Sequence, residues 1–75
     1  MMAAQPLRVC LVGLGHIGRV HVAAMRQTSG LNLVAGCDTN PDLAAILPDG
    51  TRFHTDLNEA LAATDLDVVV VATPN

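Results

Sequence analysis

From Leu7 to Val12 the chain reads Leu-Arg-Val-Cys-Leu-Val and then meets Gly13. A short β-rich apolar run stopped by glycine predicts a strand buried on both faces. From about Ile17 to Gln27 the period changes. Ile17, Val20 and Ala24 fall on one row, Gly18, Val22 and Met25 on the next, and Arg19, Ala23, Arg26 and Gln27 are left outside. That spacing predicts an amphipathic helix, closed by Ser29-Gly30. Leu31 to Cys37 predicts a second strand, with Asp38 just past its end. Asn40-Pro41 then predicts a helix start, Asn as N-cap and Pro where its missing N–H costs nothing, and Pro48 and Gly50 keep that helix short. Thr51 to His54 predicts a brief edge strand. Asp56 and Glu59 form a capping-box-like pair before Ala60-Leu61-Ala62-Ala63, so a further helix is expected over about Asp56 to Thr64. Val68 to Ala72 is the strongest strand signal of all. Strands alternating with helices through short connections imply a parallel sheet with right-handed crossovers, the α/β class.

Length changes this picture first. The 75 residues are about half of the roughly 150 of an ordinary domain, so one small domain or part of one is expected. Composition then removes partners. Apolar residues make up 51%, the only aromatic is Phe53, and the cations are Arg8, Arg19, Arg26 and Arg52 against seven acids, for a net charge of −3. Too much apolar surface is present for disorder, and a basic patch for nucleic acid or anionic lipid is missing. Cys10 and Cys37 each sit inside an apolar run, which suits reduced thiols in a cytoplasmic core. Met1 to Pro6 reads as a tail without the basic start of a signal peptide, and no run is long enough to span a membrane.

Candidate chemistry begins at Gly13-Leu14-Gly15-His16-Ile17-Gly18, a G-x-G-x-x-G. Alone the pattern is weak. Here a strand ends before it, a helix begins within it, and an acid, Asp38, follows Gly18 by about 20 residues at the end of the next strand. Gly13 permits a tight turn, Gly15 lets backbone approach a pyrophosphate, and Gly18 lets the helix pack on the strand. Unpaired N–H groups and the helix dipole would hold the anion without lysine, and His16 would act there through its backbone rather than its ring. Asp38 would accept from the two adenosine ribose hydroxyls. It would repel a 2′-phosphate that no Arg or Lys at positions 39–41 offsets, so NAD is expected rather than NADP. The implied architecture is a partial Rossmann doubly wound sheet of strand order 3-2-1-4, ending on its fourth strand. That fourth strand would present an uncovered apolar edge.

Val12 to Val20, His21, then Cys37-Asp38-Thr39-Asn40-Pro41, Phe53 to Leu57 and finally Val70-Val71-Ala72-Thr73-Pro74-Asn75 resemble the N-terminal region of one oxidoreductase family. It is the glucose–fructose oxidoreductase, inositol dehydrogenase and rhizopine catabolism (GFO/IDH/MocA) family. The resemblance covers residues 7–75. It implies that Gly13, Gly15, His16, Ile17, Gly18, Asp38 and Thr39 bind the dinucleotide and that Thr73, Pro74 and Asn75 line the crevice near its nicotinamide ribose. It also implies hydride transfer with a sugar, inositol or related polyol in a full-length, homo-oligomeric protein. Family members carry an E-K-P lysine and a later histidine beside the substrate; neither is matched here, so the catalytic C-terminal domain is expected to lie outside this chain. A non-catalytic dinucleotide-responsive module and other NAD(P) reductase families remain the alternatives.

The remaining polar groups are expected to be structural. His21 should be a helix-surface or half-buried imidazole, and His54 carries no assigned role. Cys37 should lie level with Val12 rather than Cys10, which argues against a disulfide. Asp65 and Asp67 precede the last strand, at the end of the sheet where ligands do not bind, and are expected to form a solvated turn.

Overall fold

A computed structural model of the chain describes residues 5–63 and 65–73. Four parallel strands, β1 (Leu7–Val12), β2 (Leu31–Cys37), β3 (Arg52–His54) and β4 (Val68–Val71), form one sheet in the order β3-β2-β1-β4. Helix α1 (His16–Arg26) crosses from β1 to β2, a 3₁₀ helix at Pro41–Ile46 joins β2 to β3, and α2 (Leu57–Ala63) joins β3 to β4. The order reverses direction between β3 and β4, and this places α1 and α2 on opposite faces. Over one face, Val9, Leu11, Leu14, Val22 and Met25 form a buried core joined by Leu33, Leu43, Ile46, Phe53 and Val70. Over the other, Cys10, Ala35 and Ala60 are fully buried and α2 comes down on small side chains.

The expected elements form within a residue or two, and their caps are local. Asn40 Oδ1 accepts from the Asp42 N–H at 3.0 Å, and the helix it opens is 3₁₀. Asp56 caps α2 by accepting from the Asn58 N–H at 2.9 Å. Among the described residues Glu59 makes no return bond, so this is a simple cap rather than a reciprocal box.

Three features depart from the sequence reading. Gly18, Val22 and Met25 face the core, but Ile17 and Val20, expected to share it, are 55% and 57% exposed, because α1 seats only one of its two apolar rows. Asp65 and Asp67 are not merely solvated. Asp67 Oδ2 accepts the Arg8 N–H at 2.8 Å, the Arg8 Nε donates to the Asp65 carbonyl at 2.7 Å, and the Asp67 N–H returns to the Arg8 carbonyl. Together they lock the start of β4 to β1. Finally, β2 contains a bulge: Val9 pairs with Leu33 but Cys10 with Ala35, leaving Val34 as an extra residue. Before it Leu31 and Leu33 point to the α1 face, and after it Ala35 points to the α2 face. Alternation past the bulge sends Asp38 back toward the α1 face, whereas an unbroken strand would have sent it to the other.

No helix among the described residues is long and apolar enough to cross a membrane.

Candidate functional site

A cleft of about 910 Å³ opens at the C-terminal ends of the strands. Gly13, Gly15, His16 and Ile17 contribute to it from the turn after β1. Cys37, Asp38, Thr39 and Asn40 follow β2, Thr55 and Leu57 follow β3, and Val71, Ala72 and Thr73 finish β4. In an open α/β sheet, ligands bind at this edge, where the strand order reverses. A smaller hollow of about 320 Å³ lies around Arg8, Asn32, Thr51 and Arg52, near the starts of β1 and β2 and away from that edge.

The three motif glycines have different reasons to be glycine. Gly13 has φ +95°, and a Cβ there would come within 2.8 Å of Ala72 C and Thr73 N. The turn and the chain leaving β4 are therefore in backbone contact. A Cβ on Gly18 would run into the Gly13 carbonyl, which is the close helix–strand approach the motif implies. At Gly15 nothing lies within 4 Å of an added Cβ, and its φ of −72° is open to other residues. Neither packing nor backbone strain in the protein calls for glycine there; the space above it faces the cleft.

The free donors lie beside that space. Arg19 N–H bonds the Gly15 carbonyl and begins the helical ladder, while the N–H groups of Gly15, His16, Ile17 and Gly18 find no acceptor among the described residues. These are the orphan donors of a helix N-terminus, and their partial positive charge suits an anion. The chain thus fits the pyrophosphate of a dinucleotide by two observations of its own, an open face at Gly15 and unpaired N–H groups around it. Leu14 does not join them, because its N–H is committed to Asp38 Oδ2 at 2.8 Å. Asp38 Oδ1 accepts from the Asn40 N–H at 2.9 Å. The ribose acid of the sequence reading is therefore already held by two backbone donors, and two of a carboxylate's roughly four lone-pair sites stay open to ligand.

His16 is exposed at the start of α1 and His21 half-buried one turn on, both lining the cleft. No Arg or Lys lines it among the described residues. His54 lies in β3, the brief edge strand expected from the sequence, and among the described residues its Nε2 is buried without a partner. Cys37 pairs with Val12 and Cys10 with Ala35, and both cysteines are free and buried. Burial pushes both thiols up, Cys37 further under the influence of Asp38 and Asp56. Among the described residues no group of three or more His, Cys, Asp or Glu could hold a metal. Pro74 and Asn75 lie outside the described residues. His21, Asn40, Leu43, Thr55 and Leu57 line the cleft but were not singled out for it; the rule that every strand's C-terminal end borders the crevice would have found Thr55.

The family model described as oxidoreductase family, NAD-binding Rossmann fold, matches residues 7–75. The chain belongs to the GFO/IDH/MocA family. Among family relatives, it is 42% identical to inositol 2-dehydrogenase 4 of Saccharopolyspora erythraea, over 97% of this chain and 23% of that protein. It is 33% identical to D-glucoside 3-dehydrogenase of Escherichia coli, over 99% of this chain and 22% of that one. Of solved structures, the WlbA dehydrogenase of Chromobacterium violaceum, in complex with NADH and UDP-GlcNAcA, superposes with a TM-score of 0.83 at 34% identity, covering 97% of this chain and 22% of that one. The chain thus spans less than a quarter of the curated relatives it matches, and its four strands are those of the NAD-binding domain of this oxidoreductase family.

Proposed function

We propose that residues 7–75 form the N-terminal part of the cofactor domain of an NAD-dependent oxidoreductase, one that passes a hydride between nicotinamide and a secondary-alcohol carbon of a sugar, inositol or related polyol. The observation that carries the reading is the open face of Gly15 among unpartnered N–H groups, with Asp38 in the same cleft. The bound group supplies the hydride acceptor. The chain's own residues bind and orient it: Gly13 and Gly18 shape the turn, and Gly15, His16 and Ile17 face the pyrophosphate with backbone N–H groups. Asp38 takes the ribose hydroxyls with Thr39 beside it, and Thr73 borders the nicotinamide side, to which the family resemblance also assigns Pro74 and Asn75. Asp38 favours NAD, since a 2′-phosphate would approach a carboxylate in a cleft where no described Arg or Lys offsets it. The substrate class is supported by the inositol and glucoside dehydrogenases among the relatives. Two buried free thiols fit a reducing compartment, so we read the protein as cytoplasmic; a homo-oligomeric full-length form rests on the family resemblance alone.

The test is made on the native full-length protein. Nicotinamide absorbance is followed with NAD or NADP and a panel of inositols, glucosides and other polyols. Reduction of NAD by one of these is expected. Binding of NAD without turnover of any of them would favour a regulatory module, and failure to bind NAD would defeat the cofactor reading itself.

A further inference from the structure

The hydrogen bond between Leu14 and Asp38 joins residues 24 apart in sequence and ties the glycine turn to the end of β2. It is not required by either strand, and it uses a carboxylate that the dinucleotide reading assigns to the ribose alone. We propose that Asp38 is also the positioning residue of the pyrophosphate turn: by holding the Leu14 N–H, its carboxylate sets the orientation in which the next four N–H groups face the anion. The inference rests on the dinucleotide reading above and deepens it.

The geometry supports this division of labour. The turn is anchored at its first residue by the Gly13 N–H to the Cys37 carbonyl at 2.8 Å, and at its second by Asp38. Beyond Leu14 no described acceptor holds the turn until the Arg19 N–H reaches the Gly15 carbonyl. Asp38 is itself fixed by the Asn40 N–H, which stops the carboxylate from rotating away. A charge-assisted bond from a fixed acceptor is stronger and shorter than a neutral one. Leu14 bonds Oδ2 and Asn40 bonds Oδ1, so in Asp38→Asn one of these two N–H groups meets an NH₂ donor in place of an acceptor. The bulge at Val34 belongs to the same device, because it turns Asp38 toward the loop.

A ligand without ribose hydroxyls separates the two roles. ADP and 2′,3′-dideoxy-ADP are titrated calorimetrically into the full-length protein and its Asp38→Asn variant. If Asp38 only reads the ribose, the variant binds the dideoxy compound as well as wild type does, or better, since a negative charge near the phosphates is gone. If Asp38 also sets the turn, the dideoxy compound weakens about tenfold despite that lost charge. A second measurement reads the turn without ligand: in ¹⁵N-labelled protein the amide resonances of Gly15, His16, Ile17 and Gly18 should move between wild type and the Asp38→Asn variant. An unchanged or improved dideoxy-ADP affinity, or turn amides that stay in place in the variant, overturns the proposal. Wild type that binds neither ADP nor NAD overturns the cofactor reading instead.

Discussion

Two kinds of glycine share one motif. At Gly13 and Gly18 the missing Cβ makes room for protein backbone, and at Gly15 it leaves empty space. Gly13→Ala would force a side chain into positive φ against Ala72 and Thr73, costing about 2 kcal/mol or more of stability. Gly15→Ala should leave stability within about 0.5 kcal/mol, yet weaken NAD binding severely, since the new methyl occupies the approach of the pyrophosphate. Urea unfolding and calorimetric titration of both variants in the full-length protein should therefore rank them in opposite orders. The two thiols make a second prediction. Burial raises both above their ordinary 9.0, so the folded state keeps those protons longer than the unfolded chain. Their contribution to stability is complete below that value and is lost as pH rises through the raised folded values. Unfolding midpoints should fall as pH rises from about 9 upward, and the fall should flatten in the Cys10→Ala, Cys37→Ala double variant.

At the scale of elements, close approach rather than bulk holds α2 in place. Ala60 is fully buried against Cys10 and Ala35, three small side chains that let helix and sheet nearly touch. Ala60→Leu should cost about 1–3 kcal/mol by overpacking, while Asp56→Ala should cost about 1 kcal/mol by removing the cap. Chemical denaturation measures both; an Ala60→Leu variant as stable as wild type would show that α2 is free to shift. The elements themselves were legible because their signals are local: Asn40-Pro41 and Asp56 open helices through bonds to residues two positions on. The motif was legible because glycine spacing and Asp38 stand on their own. What stayed hidden was relational. Nothing in Leu31 to Cys37, apolar nearly throughout, marks Val34 as an extra residue, because a strand buried on both faces lacks the polar alternation that would reveal a change of phase. The exposure of Ile17 and Val20 was hidden for a related reason, since periodicity shows that two apolar rows exist but not which row the sheet accepts.

For the molecule as a whole, the face of β4 beside α2 is the open side. Val69 and Val71 pair with Cys10 and Val12 and are 39% and 67% exposed, and Leu57 and Leu61 are exposed on α2. Among the described residues β4 has β1 as its one strand neighbour. An uncharged valine edge is a template for pairing with another chain. The isolated 75-mer should therefore self-associate in analytical ultracentrifugation, and Val69→Lys should shift it toward monomer. A monodisperse wild-type fragment that unfolds cooperatively would contradict this. The same topology carries a consequence for how the protein is made. β1 lies between β2 and β4, and Arg8 is fastened to Asp67, 59 residues later. Gly13 likewise rests on Ala72 and Thr73. At about 5–20 residues per second, a ribosome that has finished the glycine turn needs about 3–12 s more to deliver the backbone that walls it. During that interval the nascent turn can already meet Asp38, but the cleft has only one of its sides.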